Sequence, residues 1–358
     1  MASRKVSNLG IIGIGRWGPN LLKNFNDLPN CNIRGVADLN KARLEGIKAK
    51  FPSVDVYSNP ESIFLDKSID SVIICTPTES HFDLCKAALE KGKNVFIEKP
   101  LAKTSAQGQI LVDLAKRKNL VLFVGHVFVY NAGIQEVKKY LEREELGEIY
   151  YLHIARTNLG PVRTDVGAHW DLASHDISIL NYWFPKGPLS VSATGANFLN
   201  PQILDCVFLN FVYPENIHVN IHASWLNPNK VREITIIGSK KMLVWDDMNL
   251  TNPIKIYDKS IEASTPYRES THDSIVDSFL SFRSNIYVGD TFLPKISVNE
   301  PLLHECKTFL DIVQDVPGVN SLSSGEEGLK VLYALERSDD SIEQDGKRLD
   351  IIPTGELL

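Results

Sequence analysis

The run Gly13-Ile-Gly15-Arg16-Trp17-Gly18 follows directly on the apolar stretch Asn8 to Ile12 and opens a helical pattern, and nothing else in the chain restricts its fold as much. Glycines at this spacing permit a tight strand-to-helix turn, close approach of the backbone to a pyrophosphate, and tight packing of the helix. The helix N-terminus adds N–H groups and a positive dipole end. The spacing alone is common, but Asp38 ends the next apolar run at the separation where a carboxylate accepts hydrogen bonds from an adenosine ribose and repels a 2′-phosphate. The pattern predicts a Rossmann domain that binds NAD. Arg16, Lys41 and Arg43 are near enough in sequence to reach a 2′-phosphate, although Asp38 is the better placed.

The surrounding periodicity agrees. Val6 to Ile12, Asn32 to Ala37, Ser71 to Cys75, Asn94 to Ile97 and Val121 to Val124 read as buried strands. Between them, Asn20 to Phe25, Lys41 to Phe51, Ser80 to Lys91 and Ser105 to Lys118 carry apolar residues at helical spacing, so a doubly wound parallel sheet is expected over residues 1–125. From residue 126 the pattern changes. Helices are expected over Ala132 to Glu145 and Asp171 to Trp183. Ile217 to Trp225 then alternates apolar and polar positions as a half-buried strand does. Its neighbours Asp205 to Tyr213, Glu233 to Ile237 and Met242 to Trp245 are separated by turn residues, which predicts an antiparallel meander. Helices over residues 273–284, Pro301 to Val313 and Glu326 to Asp339 would complete an α+β domain with a largely antiparallel open sheet spanning 126–358.

With 358 residues, 43% hydrophobic and 23% charged, the composition is that of a globular protein with ordinary cores. The net charge of −6 argues against general binding to nucleic acid or anionic membranes, both of which need a basic footprint. Five scattered cysteines give neither a disulfide framework nor a Cys-x-x-Cys metal site. The first apolar stretch is too short for a signal peptide and no run approaches a membrane span, so a cytoplasmic protein is expected.

Two further strand ends carry polar motifs: Cys75-Thr76-Pro77-Thr78 and Glu98-Lys99-Pro100. Open α/β sheets bind ligands at these carboxyl ends, so Lys99 is either poised against cofactor ribose and substrate hydroxyls or an ordinary solvated lysine. The ordered set of Rossmann loop, Thr76-Pro77 with His81, Glu98-Lys99-Pro100, Gly125-His126 and Asp171-x-x-x-His175 resembles the Gfo/Idh/MocA oxidoreductases over essentially the whole chain. The resemblance implies that Lys99, Asp171 and His175 are the catalytic set. It places Gly13, Gly15, Arg16, Trp17, Gly18, Asp38, Thr76, Pro77, His81, Glu98, Lys99, His126 and Trp170 around the cofactor. On a regular helix Asp171 and His175 stand one turn apart, so the carboxylate is expected to orient the imidazole and favour its protonated form.

Stretches around Gly13 to Asn20, Asn158 to Asp165, Trp170 to Ile177 and Trp225 to Arg232 look like those of UDP-N-acetylglucosamine and UDP-N-acetylglucosaminuronate 3-dehydrogenases. That likeness implies oxidation of a sugar hydroxyl to a ketone with NAD, in the making of cell-surface polysaccharide. Lys99, Tyr130, Asn131, Arg163, His175, Lys230 and Arg232 are the substrate candidates, with arginines suited to a diphosphate. Keto-sugar reduction, a free sugar or cyclitol substrate, and a non-catalytic NAD-binding regulator are the alternatives. A metal held by His169, Asp171 and His175, or by the alternating His218 and His222, is disfavoured, and no metal is expected. Relatives pair through the open sheet, which implies a homodimer or homotetramer.

Overall fold

The computed structural model describes residues 6–261, 286–297 and 299–351. The helix expected over 273–284 lies outside the described residues.

The strands β1 (Ser7–Ile12), β2 (Cys31–Ala37), β3 (Asp55–Tyr57), β4 (Ser71–Ile74), β5 (Asn94–Glu98) and β6 (Leu122–Gly125) form one parallel sheet in the order β3-β2-β1-β4-β5-β6. The helices α1 (Gly18–Asn26), α2 (Lys41–Lys50), α3 (Glu61–Leu65), α4 (His81–Glu90) and α5 (Ser105–Lys118) connect them. β4 is wholly buried, which is why it reads as a continuous apolar run. The short β3 and α3 carry too few residues to show a period. Strand order reverses between β1 and β4, and a ligand crevice is expected outside their carboxyl ends.

The remaining strands form a nine-stranded sheet. They are β7 (Ile149–Leu159), β8 (Ser190–Ala196), β9 (Cys206–Tyr213), β10 (Ile217–Ser224), β11 (Leu226–Gly238), β12 (Met242–Asp246), β13 (Ile254–Ile261), β14 (Ile286–Phe292) and β15 (Leu349–Asp350), ordered β14-β13-β12-β11-β7-β10-β9-β8-β15. The pairs are antiparallel except β7 with β10. This departs from a simple meander: β7 lies between β10 and β11, and Asn227-Pro-Asn falls inside β11, where the register shifts between Leu226 and Val231. β7 escapes the sequence pattern because its inward positions run Leu152, Ile154, Arg156, and the arginine breaks the apolar alternation.

Against this sheet pack α6 (Ala132–Glu142) and α7 (Ser174–Trp183), the latter preceded by a π-helical turn over His169–Ala173. The last helices, α8 (Pro301–Val313) and α9 (Gly325–Glu343), return to the first sheet. Phe309 of α8 lies 5.6 Å from both Phe96 and Phe123, closing an aromatic cluster whose truncation would cost about 3–5 kcal/mol. α9 lies so close to β6 that a Cβ on Gly328 would stand 2.6 Å from Val124.

Candidate active site

The glycine loop forms the first wall. Gly13 has φ +92°, and a Cβ there would stand 2.7 Å from the Cys75 carbonyl oxygen. A Cβ on Gly18 would sit 2.2 Å from the Gly13 carbonyl oxygen, so Gly18 serves close packing of α1 and does not line the cavity. A Cβ on Gly15 would meet almost nothing, the nearest atom being Arg43 Nη1 at 3.9 Å. Asp38 accepts hydrogen bonds from the Ile14 N–H at 2.7 Å and the Asn40 N–H at 2.8 Å, with Arg43 at 3.6 Å. Its carboxylate therefore ties the end of β2 to the loop. Backbone held open at Gly15, an acid at the β2 end and the uncapped start of α1 fit a dinucleotide.

These groups line one end of a cavity of 1880 Å³, larger than the ~300–1,000 Å³ of a pocket for one small molecule. Arg16, Trp17, Thr76 and Pro77 belong to the same wall. At the end of β5, Glu98 lines it too. Burial pushes the Glu98 carboxyl up to about 7, against the opposing influence of Lys99 and a hydrogen bond from Trp17.

Opposite stands the π-helical turn. The Lys99 ammonium donates to the Asp171 backbone oxygen at 2.7 Å and to its carboxylate at 3.1 Å, and Arg163 donates to the same carboxylate oxygen at 3.1 Å. Arg163 also grips Asp165 through two nitrogens at 2.8 and 2.5 Å. Burial alone would raise the Asp171 carboxyl, but the two cations hold it below the usual range. His175 lines the cavity with Nδ1 buried and without a hydrogen-bond partner. The expected Asp171–His175 pairing is not made. A π turn takes more residues per turn than an α-helix, which removes the i, i+4 stacking, and the carboxylate is taken by Lys99 and Arg163. Burial first, then Lys99 and Arg156, push the His175 pKa well below its ordinary value, so its neutral form is favoured and not the protonated one.

Beneath lies a floor in which Arg232 and Asn131 were expected from the sequence, whereas Phe128, Arg156, Asp176 and Asp247 were not. Phe128 sits under Arg156 at 4.3 Å and Arg232 at 5.4 Å, with the His175 ring edge-on at 4.9 Å. Arg156 makes a buried bidentate pair with Asp176 at 2.7 to 2.9 Å. Arg232 pairs with Asp247 at 3.0 Å, and Asn131, which caps α6 through the Gly133 N–H, reaches Asp247 at 3.4 Å. Lys230 lines the cavity with no carboxylate partner among the described residues. Asp165 could have been found from its place beside Arg163. Nothing in the spacing of Arg156 to Asp176, or of Arg232 to Asp247, announces those pairs.

Besides Gly18, four expected ligand contacts lie off the cavity wall. His81 is buried at the start of α4 with its ring nitrogens 2.7 Å from the Pro100 carbonyl oxygen and 2.9 Å from that of Thr76, so it staples two loops together. His126 is buried with both ring nitrogens unpartnered, and burial, aided by Lys99, lowers its pKa to about 3. Tyr130 is buried against Phe123 at 6.1 Å. Trp170 packs between the cores of both sheets and donates to Asp339 at 2.8 Å. In each case burial or a hydrogen bond within the fold has claimed a ring that was expected at the ligand. His169 likewise turns to Asp339, and among the described residues no three His, Cys, Asp or Glu are placed to hold a metal ion. Among them also, no helix is long and apolar enough to cross a membrane.

Residues 7–126 match the oxidoreductase family with an NAD-binding Rossmann fold, and residues 134–244 match the GFO/IDH/MocA C-terminal domain. The chain is 26% identical over 300 residues to a UDP-N-acetylglucosamine 3-dehydrogenase of Acidithiobacillus ferrooxidans, covering 82% of this chain and 90% of that one. It is 25% identical over 200 residues to a myo-inositol 2-dehydrogenase of Thermotoga maritima, covering 54% of this chain and spanning 60% of that relative's length. The solved structure of the A. ferrooxidans enzyme GnnA shares the fold, with a TM-score of 0.77 at 22% identity over 94% of this chain and 97% of that one.

Proposed function

The chain belongs to the Gfo/Idh/MocA family of NAD-binding oxidoreductases, and from that premise we propose that it is a dehydrogenase oxidising the C3 hydroxyl of a nucleotide-linked N-acetyl sugar or its uronate. The observation that carries this reading is that the bonded pair Lys99 and Asp171, together with His175, lines the same cavity as the glycine loop on one domain and Lys230 and Arg232 on the other. Bound NAD supplies the hydride acceptor. Neutral His175 accepts the hydroxyl proton, and Lys99 donates a hydrogen bond to the reacting oxygen. Asp171 and Arg163 fix the Lys99 ammonium in place. Arg163, engaged by two carboxylates, serves this role ahead of diphosphate binding. That leaves Lys230, which has no carboxylate partner among the described residues, as a cation for a phosphate beside Arg232.

A second reading, oxidation of a free cyclitol, is favoured by the neutralisation of Arg163 and Arg232 by Asp165, Asp171 and Asp247. The protein incubated with NAD should produce NADH with UDP-N-acetylglucosamine or its uronate. Turnover of inositols alone would move the assignment to the second reading, and no turnover with any of them would sink both.

We propose further that the chain divides near Gly125, that it works in the cytoplasm, and that it forms a homodimer or homotetramer through the outer face of the large sheet. Half-exposed Tyr151 and Phe208 on that face support the association. A monomeric mass by light scattering at micromolar concentration would refute it.

A further inference from the structure

Asp339, on a helix remote in sequence from every motif discussed above, accepts hydrogen bonds from two adjacent residues of the π-helical turn: His169 Nε2 at 2.6 Å and Trp170 Nε1 at 2.8 Å. The next residue, Asp171, holds Lys99 through its backbone oxygen and its carboxylate. A single carboxylate is thus one residue away from the group that fixes the Lys99 ammonium. We propose that Asp339 is a positioning residue that sets where the π-helical turn presents Asp171 to Lys99.

The helix that bears it is built for such a role. α9 is 19 residues, about 28 Å of helix, and it is fastened to both halves of the molecule. It is tied to the first domain just before its start, where the Ser323 carbonyl oxygen accepts from the Val124 N–H of β6 at 2.8 Å, and again past its middle, where Glu336 accepts from the Ser105 N–H of α5 at 2.7 Å. Its C-terminal part grips the second sheet: the Ser341 hydroxyl accepts from the Ala193 N–H at 2.9 Å and donates to the Lys347 carbonyl oxygen at 2.7 Å. Lys99 hangs from the first sheet and Asp171 from an element packed on the second. Asp339 lies between those two anchorages, so it fixes the turn relative to both. His169 is 2% exposed and its Nδ1 has no partner, so Asp339 is the one hydrogen-bond acceptor that orients this ring among the described residues. Two parallel donors on one carboxylate restrain direction as well as distance.

The test reads the Lys99 amine itself, so it stands apart from the functional reading on which the word positioning rests. The full-length protein, saturated with NAD, is labelled with an amine-acylating ester, and labelling at Lys99 is followed by peptide mass spectrometry against exposed Lys103 as the internal reference. Asp339→Ala should speed Lys99 labelling roughly fivefold or more, and Asp339→Asn, which offers one acceptor arm where two are needed, by less. Glu336→Gln, which keeps an oxygen to accept from the Ser105 N–H and so keeps that anchorage, should leave Lys99 labelling unchanged. If the wild type oxidises a sugar substrate, Asp339→Ala should also lower kcat about 100-fold with KM for NAD little changed, since a shift near 1 Å costs that much. Should Asp339→Ala fail to fold, Asp339→Asn decides. Lys99 labelling equal to wild type in the folded variants overturns the proposal, whereas a wild type inactive on every sugar overturns the functional reading and leaves the labelling result standing.

Discussion

Lys99 and Asp171 meet through two hydrogen bonds, one to the backbone oxygen at 2.7 Å and one to the carboxylate at 3.1 Å, across the space between the two sheets. The pair is charged and mostly enclosed, the side chains being 12% and 20% exposed. The ammonium is therefore held by two acceptors that belong to different chemical groups of one residue. Only one of them can be removed by mutation.

Asp171→Asn keeps the backbone oxygen and the shape, and removes the charge that Lys99 and Arg163 share. It should lower kcat by about 100-fold, while Lys99→Met, which removes the ammonium, should lower it by about 1,000-fold or more. KM for NAD should change less than threefold in both, roughly, because neither residue holds the adenosine end. Steady-state kinetics checks this, and a loss confined to KM would remove Lys99 from the reacting centre.

The stability of the protein should fall in acid because of His126. Its folded pKa, about 3, lies below the unfolded value of ~6.5, so the unfolded chain binds the extra proton between those limits. The stabilisation is complete above ~6.5 and drains away as the pH drops toward 3, by on the order of a few kcal/mol. His126→Phe should flatten this acid limb in urea titrations run from pH 7 to pH 4. Glu98, pushed up to about 7, acts in the other direction: its contribution is present below the ordinary carboxyl range and is lost as the pH rises through 7.

The legible and illegible parts of the site differ by a physical rule. The glycine loop, Asp38 and Lys99 could be placed because backbone geometry at a parallel strand end dictates where they point. His81, His126, Tyr130 and Trp170 have no such rule behind them, since a motif gives position along the chain but burial decides which way a ring turns. Asp171 and His175 show the finer case. Their i, i+4 spacing implied contact on an α-helix, and one π turn was enough to separate them. The meander was misjudged at β7, where inward-facing Arg156 hid the strand. That same arginine, paired with Asp176 across twenty residues of sequence, carries no local signal at all.

Asp38→Ser should weaken NAD binding and loosen discrimination against NADP. Removing the carboxylate deletes the acceptor for the Ile14 and Asn40 N–H groups and the acceptor proposed for the ribose, and it frees Arg43 at 3.6 Å from its partner. A loss of about tenfold to 100-fold in NAD affinity is expected from hydrogen bonds to a charged group. Dissociation constants for NAD and NADP, measured by quenching of tryptophan fluorescence, give the ratio. An unaltered ratio would mean that the carboxylate plays no part in cofactor choice.

Asp176→Ala tests the floor of the site. Arg156 is almost wholly enclosed, and its side chain donates three hydrogen bonds to the Asp176 carboxylate while stacking over Phe128. Taking away the acid leaves a guanidinium with no counter-charge in the interior, which costs about 3–5 kcal/mol. Replacing both members by apolar residues of similar size, as in Arg156→Met with Asp176→Leu, removes the charge along with its partner and should recover most of that loss. Chemical denaturation of the two variants separates the outcomes. If the double variant is as unstable as the single one, Arg156 contributes through its stacking on Phe128 and not through the ion pair, and the arrangement of His175 beside that ring would then depend on the arginine directly.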